Sequence, residues 1–530
     1  MEGLRVLVAE PLAEEGIELL RKEAEVDVET GVDHDRLQEI VGDYDAVIVR
    51  SATRLDRGVI EAGTRLKVIG RAGVGVDNVD LEAATRQGIT VVNAPQSNTL
   101  SAAEIALGLM LALARKIPSA DQSVKQGRWE RESFTGVELH GKTLGIVGLG
   151  RVGTLVAQRA YAFGMKLIAH DPFVSKARAA QLGIELTPNL DELLRQADFI
   201  SIHVTKTADT VGLIGEREFS LMKPGVRIIN TSRGGIVDES ALARAIDDGI
   251  VEGAALDVFE SEPPGKSPLI PNPAVIATPH LGAYTEEAQK KAGTAIAEQV
   301  LLALKGEFAP YAVNLAAGAE FVEALRPFIP LTERLGRVLA GLAGTGTSSI
   351  HFEFHGALAD HDTRVLTLAG LKGLFSAIVH EPVTYVNAPL LAEERGVEVR
   401  ETKSARSPDF VNLVVLKASS DEETVAVGGT LVGKRDEARI VRVYEYEIDM
   451  EPARYMCFLR YEDRPGIIGK VGTVLGDAEI NIAGMHVSRE TIGGEALMGL
   501  TVDTPISADV VDRIAVSIGA RDAKFIDLGE

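Results

Sequence analysis

Three polar residues stand out for the chemistry their types allow: Arg233 in "NTSRGGIVDESAL", Glu262 in "ALDVFESEPP" and His280 in "ATPHLGAYT". A histidine can take the proton of a hydroxyl and return it. A glutamate touching the imidazole favours its protonated form and extends the pH range over which that acid is available. An arginine presents a planar fork that suits a carboxylate and steadies a carbonyl oxygen. Together they meet the needs of removing a hydride and a proton from a hydroxy acid. Singly, each has an ordinary explanation: a solvated arginine at a helix start, a loop carboxylate before two prolines, a histidine capping the next helix. Asp257, in the same stretch as Glu262, is a weaker member of the set, suited to a cofactor's amide or to the loop on the cofactor's side.

A hydride needs an acceptor, and "TLGIVGLGRVGTLVAQRAYAFGMKLIAHDP" supplies the pattern for one. Gly148, Gly150 and Gly153 form G-x-G-x-x-G after an apolar strand and at the mouth of a helical pattern, with Arg151 and Val152 in the same turn. That context gives the glycines mechanical meaning. The first permits the tight turn, the second lets backbone approach a pyrophosphate, the third lets helix and strand pack closely, and the helix start supplies amide donors. Asp171 stands 23 residues beyond Gly148, directly after the next strand, where it can accept from a ribose diol. A 2′-phosphate is repelled there, so the expected cofactor is NAD rather than NADP.

Elements must place these residues together. "RVLVAE", "DAVIVR", "LKVIGRAGVG" and "ITVVNA" read as strands with amphipathic stretches between them. A second series runs from Leu144 through "KLIAHD", "DFISIHV", "VRIINTSRGG", "GAALDVFE" and "AVIATPH". Such alternation predicts parallel sheets covered by helices, with ligands at the carboxyl ends of the strands, where Arg233, Asp257 and His280 fall. A long helix is predicted over 285–307, and "APYAVNLAAG" reads as a connector. From about 320 the texture becomes an α/β mixture without a catalytic constellation. The last segment suggests a small βαββαβ unit.

Composition narrows the function classes. At 530 residues the chain exceeds one core, and its net charge of −22 argues against a general nucleic-acid or anionic-membrane surface. The single cysteine, Cys457, excludes an internal disulfide framework and a cysteine-zinc cluster; no metal is expected, and a reducing cytosol fits. The longest apolar run, "IALGLMLALA", falls short of the roughly 18 residues of a membrane span and reads as a buried helix. The first residues open on a strand pattern, with no signal peptide evident.

"GLGRVG", "LMKPGVRIINTSRGGIVDESAL", "ALDVFESEP" and "TPHLGAYT" resemble successive motifs of the D-isomer-specific 2-hydroxyacid dehydrogenases. The resemblance implies that Arg233, Glu262 and His280 are the catalytic triple, and that Gly148, Gly150, Arg151, Val152, Gly153, Asp171 and Asp257 hold NAD. Formate dehydrogenases of that superfamily carry glutamine where this chain has Glu262, which disfavours them. "VRSATRLD", "GRAGVGVDNVDL" and "NAPQSNTLSAAEIALGLML" resemble the phosphoglycerate dehydrogenase branch, so that Arg54 and Arg71 become phosphate candidates and Asn98 a neighbour of cofactor or substrate. Gly73 and Gly75 suggest an anion-binding nest of amides. Arg131, near Trp129, is implied to approach from a partner subunit; Arg50 adds a further cation.

"YEDRPGIIGKVGTVLGDAEINIAGMHVSRE" resembles an ACT domain, in which Tyr461, Asp463 and Asn481 are the implied effector contacts, Asn481 across an interface. Residues 319–452 resemble the intervening domain of long-form phosphoglycerate dehydrogenases; the run Lys434, Arg435, Arg439, Arg442 within them reads as a solvated strand and turn. The expected architecture is α/β: a substrate domain (1–98 and 285–318) and a NAD-binding domain (99–284), both doubly wound and Rossmann-like, an α+β intervening domain (319–452) and a βαββαβ ACT domain (453–530). The resemblance implies NAD-dependent oxidation of 3-phosphoglycerate, inhibition by L-serine, a homotetramer and a cytoplasmic location. A glyoxylate or hydroxypyruvate reductase stays open, as does a non-catalytic NAD-sensing protein. The extra arginines argue against the first and the intact triple against the second.

Overall fold

The computed structural model describes residues 3–315, 323–343, 347–379, 382–407, 409–420 and 423–529. The expected boundary at 318/319, with the last three residues of the connector, lies outside them. The described strands form four sheets.

The first sheet has the order β2-β1-β3-β4-β5, with β1 Arg5–Val8, β2 Glu25–Val28, β3 Ala46–Val49, β4 Val68–Arg71 and β5 Thr90–Asn93, all parallel. Every residue of β3 is buried, because helices cover both faces of a parallel sheet. The strand β2, "EVDV", was not foreseen: it lies at the edge, half exposed, so its sequence lacks the apolar run that marks a central strand.

The second sheet comprises β6 Thr143–Val147, β7 Lys166–His170, β8 Glu185–Leu186, β9 Phe199–Ile202, β10 Val226–Asn230, β11 Val251–Leu256 and β12 Val275–Ala277. Its order is β12-β11-β10-β9-β6-β7-β8. This is the doubly wound arrangement, with the switch point between β6 and β9. The helix Thr99–Ala114 buries Ala103, Ala106 and Met110 in this lobe's core, as its unbroken apolar sequence requires.

After β12 the chain returns. Helix Glu286–Leu304, capped by Thr285, places Ile296, Ala297 and Val300 in the core of the first sheet. It crosses helix Glu14–Arg21 so closely that a Cβ on Gly16 would stand 2.5 Å from the Gly293 carbonyl oxygen. Asn314 then ties the returning segment to the sheet, accepting from the Val91 amide and donating to the Ile89 carbonyl. The end of the second lobe and the core of the first are thus joined by one continuous stretch of chain.

The third sheet is mixed: β13 Ser349–Gly356, β14 Glu398–Ser404, β15 Asn412–Ser419, β16 Thr424–Val432, β17 Glu437–Val443 and β18 Tyr446–Met450, in the order β14-β13-β15-β16-β17-β18. Helices Phe328–Ala343 and Arg364–Ser376 supply buried residues to its core. The basic run behaves as a solvated strand and turn: Lys434 and Arg435 lie exposed at a hairpin, and Arg439 pairs with Glu437, Asp449 and Glu451. The fourth sheet, β20-β21-β19-β22, is antiparallel, with β19 Tyr455–Glu462, β20 Ile482–Arg489, β21 Glu495–Val502 and β22 Asp522–Asp527. Helices Ile467–Asp477 and Ala508–Ile518 complete a βαββαβ unit.

The third and fourth sheets share a core. Met456, Phe458, Leu497, Ile526 and Leu528 pack in one cluster with Leu331, Leu335, Leu339 and Met450. Arg337 donates to the Leu528 carbonyl at 2.6 Å, and Arg460 pairs with Glu423 and Asp522 while stacking over Tyr444. Contact with the first lobe is mixed: Lys372 Nζ donates to the Gly306 carbonyl (2.8 Å) and pairs with Glu333 (2.9 Å), Thr384 Oγ1 donates to the Gly88 carbonyl, and Phe308 meets Tyr385 edge-on at 5.4 Å between ring centroids. No helix among the described residues is long and apolar enough to cross a membrane.

Candidate active site

The glycine turn after β6 is built for close approach. Gly148 has φ +92°, and a Cβ there would stand 2.9 Å from the His203 carbonyl carbon. A Cβ on Gly153 would lie 2.2 Å from the Gly148 carbonyl oxygen, which holds helix Arg151–Ala162 against the turn. Gly150, the residue preceding the helix, has nothing within 4 Å of where a Cβ would be, so its backbone faces open space. Arg151 is exposed and Val152 half-buried in the helix's first turn. Asp171 accepts from the Leu149 amide on one oxygen and the Phe173 amide on the other, both at 2.8 Å. The carboxylate is thereby fixed beside the turn with lone pairs to spare. An open glycine backbone, a helix start and a fixed acid fit a dinucleotide.

His203, which follows β9, was not foreseen. Burial pushes its imidazole down to about 4, so it is neutral at physiological pH, and it pairs with Ser201 Oγ at 2.8 Å. Its place in an apolar run gave no signal of a packing role against Gly148.

His280 and Glu262 meet: Nδ1 donates to Oε2 at 2.7 Å, with both side chains a little over one-third exposed. Burial alone raises the Glu262 carboxyl, but the imidazole contact, the Phe259 amide and the nearby Arg233 more than offset it, leaving the carboxyl below its ordinary value. His280 sits at φ +54°, left-handed backbone that a non-glycine residue adopts only when its surroundings enforce it. Asp257 is the enforcer. Wholly buried, it accepts from Thr278 Oγ1 (2.6 Å) and from the amides of Leu281 and Gly282 (each 2.8 Å), and so grips the turn on both sides of His280. Asp257 was expected at a cofactor's amide or at the NAD-side loop; the donors its carboxylate meets come from the histidine turn.

Arg233 follows β10. Its Nη1 donates to the Ser232 carbonyl at 2.8 Å, and its Nε to Asp77 Oδ2 at 3.3 Å, across from the first lobe. Arg71, at the end of β4, is largely buried; burial first, and Arg233 second, draw its guanidinium down to about 10, which still leaves it charged. Among the described residues it has no hydrogen-bond or ion-pair partner, and its Nε is a buried donor left unsatisfied. Arg71 folds over Gly73: a Cβ there would stand 1.7 Å from Arg71 Nη1 and would displace the guanidinium. The Gly73 amide donates to the Arg71 carbonyl at 2.7 Å, so the expected nest lacks that donor.

Glu10, at the end of β1, is a second residue that sequence reasoning missed. It accepts from the amides of Arg50, Ala52 and Thr53, shaping the loop that carries Arg54. An acid closing the strand run "LVAE" was its only signal. Arg54 is exposed on that loop, and Arg50 lies over the Tyr284 ring at 4.6 Å. Asn98 stands half-buried before helix Thr99–Ala114, its side chain uninvolved in capping. Arg131 is not brought in: it is exposed, over Trp129 at 5.4 Å, and touches none of these residues of its own chain.

In the fourth sheet, Asp463 pairs with Arg489, and Asn481 donates to Asp503 at 2.6 Å. Asn481 and Arg489 lie at opposite ends of β20, eight residues of strand apart, roughly 25 Å. An amino acid cannot touch Asp463 and Asn481 of one chain. Tyr461 is 3% exposed and belongs to this unit's core, and burial raises its phenol.

Family models match three stretches of the chain. The model for "D-isomer specific 2-hydroxyacid dehydrogenase, NAD binding domain" matches residues 107–282, "D-3-phosphoglycerate dehydrogenase intervening domain" matches 324–444, and "ACT domain" matches 455–518. The chain is 47% identical over 525 residues to the D-3-phosphoglycerate dehydrogenase of Mycobacterium tuberculosis, covering 99% of both chains. It is 46% identical over 526 residues to that of Synechocystis sp., covering 99% of this chain and 95% of the other. Among solved structures, the TT0316 protein of Thermus thermophilus is similar at 35% identity and a TM-score of 0.55, over 58% of this chain and 100% of that one.

Proposed function

The chain belongs to the D-3-phosphoglycerate dehydrogenases, NAD-dependent oxidoreductases of the D-isomer specific 2-hydroxyacid class, and from that premise we propose how its residues oxidise D-3-phosphoglycerate to 3-phosphohydroxypyruvate. The open turn at Gly148–Gly153 and Asp171 hold the dinucleotide. The chemistry the nicotinamide supplies when bound is acceptance of the hydride from the hydroxyl-bearing carbon. His280 takes the hydroxyl proton on Nε2, the nitrogen that Glu262 does not occupy, and returns it in the reverse direction. Arg233 holds the carboxylate and the carbonyl oxygen that forms.

The observation that carries the choice of substrate is Arg71: a charged, largely buried arginine that no acid contacts directly among the described residues, close to Arg233 and on the same rim as Arg54. A monoanionic keto acid needs one such cation. A phosphate beside the carboxylate accounts for the surplus, in a chain whose overall charge is −22. Asn98 and a partner's copy of Arg131 complete the substrate's surroundings in this reading, with 1–98 and 285–318 as the substrate lobe and 99–284 as the NAD lobe.

For the C-terminal module we take L-serine as the effector, bound by Asp463 of one subunit and Asn481 of another; the 25 Å between the two ends of β20 supports an interface site. A homotetramer in the cytoplasm is the assembly and place this implies. Serine then inhibits by preferring a subunit arrangement that disfavours closure of the cleft.

Initial rates of NADH oxidation test the whole reading. Hydroxypyruvate is expected to show a kcat/KM at least about 100-fold below that of 3-phosphohydroxypyruvate, the loss of two charge-assisted contacts at about 1.4 kcal/mol per factor of ten. Millimolar-range L-serine is expected to depress the rate. Equal rates on the two acids would refute the phosphate assignment, and indifference to serine the effector assignment.

Glu262→Gln probes the pair separately. Because the Glu262 carboxyl lies below its ordinary value, the negative charge it holds beside His280 is fully in place at neutral pH and is lost as pH falls through that lowered value. Glutamine removes the charge, so imidazolium is no longer favoured, and keto acid reduction is expected to decline at a lower pH than in the parent. The pH–rate profile checks this; an unmoved alkaline limb refutes it.

A further inference from the structure

We infer that Asp77 is a positioning residue for the reaction: it fixes the fork of Arg233 from across the cleft. The inference rests on Arg233 being the group that grips the substrate's carboxylate.

Asp77 follows β4 in the first lobe and Arg233 follows β10 in the second, 156 residues later, yet Nε donates to the Asp77 carboxylate at 3.3 Å. Nη1 donates to the Ser232 carbonyl, the arginine's own neighbour. The two acceptors pin two edges of a planar group. Among the described residues the guanidinium has no further partner, so Nη2 and the edge it shares with Nη1 are the part left for a ligand.

The backbone beside the pair is shaped for it. A Cβ on Gly75 would stand 2.1 Å from Arg233 Nη2 and 2.8 Å from Asp77 Oδ2, so a side chain there would displace both groups from the positions they hold. Charge points the same way. Arg50, Arg71 and Arg233 are faced by two acids, Glu10 and Asp77. Glu10 is committed to the three amides of the Arg54 loop, and Asp77 is the carboxylate in contact with Arg233.

A stabilising role alone does not account for this placement. The Asp77 side chain is 67% exposed, and an exposed ion pair contributes little to folding. Its effect falls on the orientation of Arg233, and through it on the step that needs the carboxylate held in register. Because the pair joins the two lobes, the orientation it enforces also depends on their closure.

Asp77→Asn keeps the shape and removes the charge. Its kcat/KM for D-3-phosphoglycerate is expected to fall about tenfold, short of the 10²-fold that follows a 1 Å misplacement. KM for NAD and the melting temperature are expected to stay at parent values. In an Arg233→Ala background, Asp77→Asn is expected to cause no further loss, because the group it orients is gone. A fall of less than about threefold, or losses that multiply in the double variant, would overturn the inference. Arg233→Ala with parent kcat/KM would instead remove the assignment of Arg233 itself, so the two failures are told apart.

Discussion

Replacing His280 with alanine is expected to lower kcat by roughly 10²- to 10⁴-fold in both directions, the span that a positioned acid–base group contributes. The affinity for NADH is expected to stay within about twofold, because the glycine turn and Asp171 lie on other strands. The size of the effect follows from how the imidazole is held. Its Nδ1 is committed to Glu262 at 2.7 Å, which fixes the tautomer and leaves Nε2 to exchange the substrate's proton. Alanine carries the same Cβ penalty at φ +54° as histidine, so the substitution removes the imidazole without relaxing the turn. Stopped-flow reduction of 3-phosphohydroxypyruvate, with fluorescence titration of NADH, separates chemistry from binding. Activity near the parent level would remove His280 from the mechanism.

Asp257→Asn is expected to be nearly as damaging, although Asp257 need touch no substrate. Its carboxylate is fully buried and accepts three donors, two on Oδ1 and one on Oδ2. An amide has one oxygen, so at least one donor faces an NH₂ group in a dry site, costing about 1–3 kcal/mol. The donors are the residues on either side of His280, and what the carboxylate holds in place is that residue's left-handed backbone. A shift of about 1 Å in the imidazole is enough for a fall on the order of 10²-fold in kcat. Hydrogen exchange gives a readout independent of turnover: the amides of Leu281 and Gly282 should exchange faster in the variant. Parent kcat together with unchanged protection at those two amides would contradict the proposed role.

The legible and illegible parts of the site differ in one physical respect. Gly148, Gly150, Gly153 and Asp171 could be read because a strand, a turn and a helix fix their roles within 24 residues. Arg233, Glu262 and His280 could be read as candidates because each lies at or just beyond the end of an apolar strand run. The relation between Arg233 and Asp77 spans 156 residues, and local pattern carries nothing about it. Asp257 had a visible position but not a visible orientation: a carboxylate closing a strand can face a ligand or fold back onto its own loop. Tyr461 shows the same ambiguity, since alternation on a strand buried on both faces does not tell an inward ring from an outward one. The edge strands β2 and β8 went unread because solvent on one side removes the apolar run that signals a central strand.

The core shared by the third and fourth sheets means that the C-terminal module is not a detachable part. Removing everything after about residue 452 would bare the faces of Leu331, Leu335, Leu339 and Met450 that Met456, Phe458, Leu497 and Ile526 now cover. Each lost partner of that size forgoes about 1.5–3 kcal/mol of burial. The remnant would present a sticky apolar wall rather than a simpler enzyme. In evolutionary terms the two units could be lost, kept or transplanted only as a pair. A graft intended to confer effector control on another dehydrogenase therefore has to carry both.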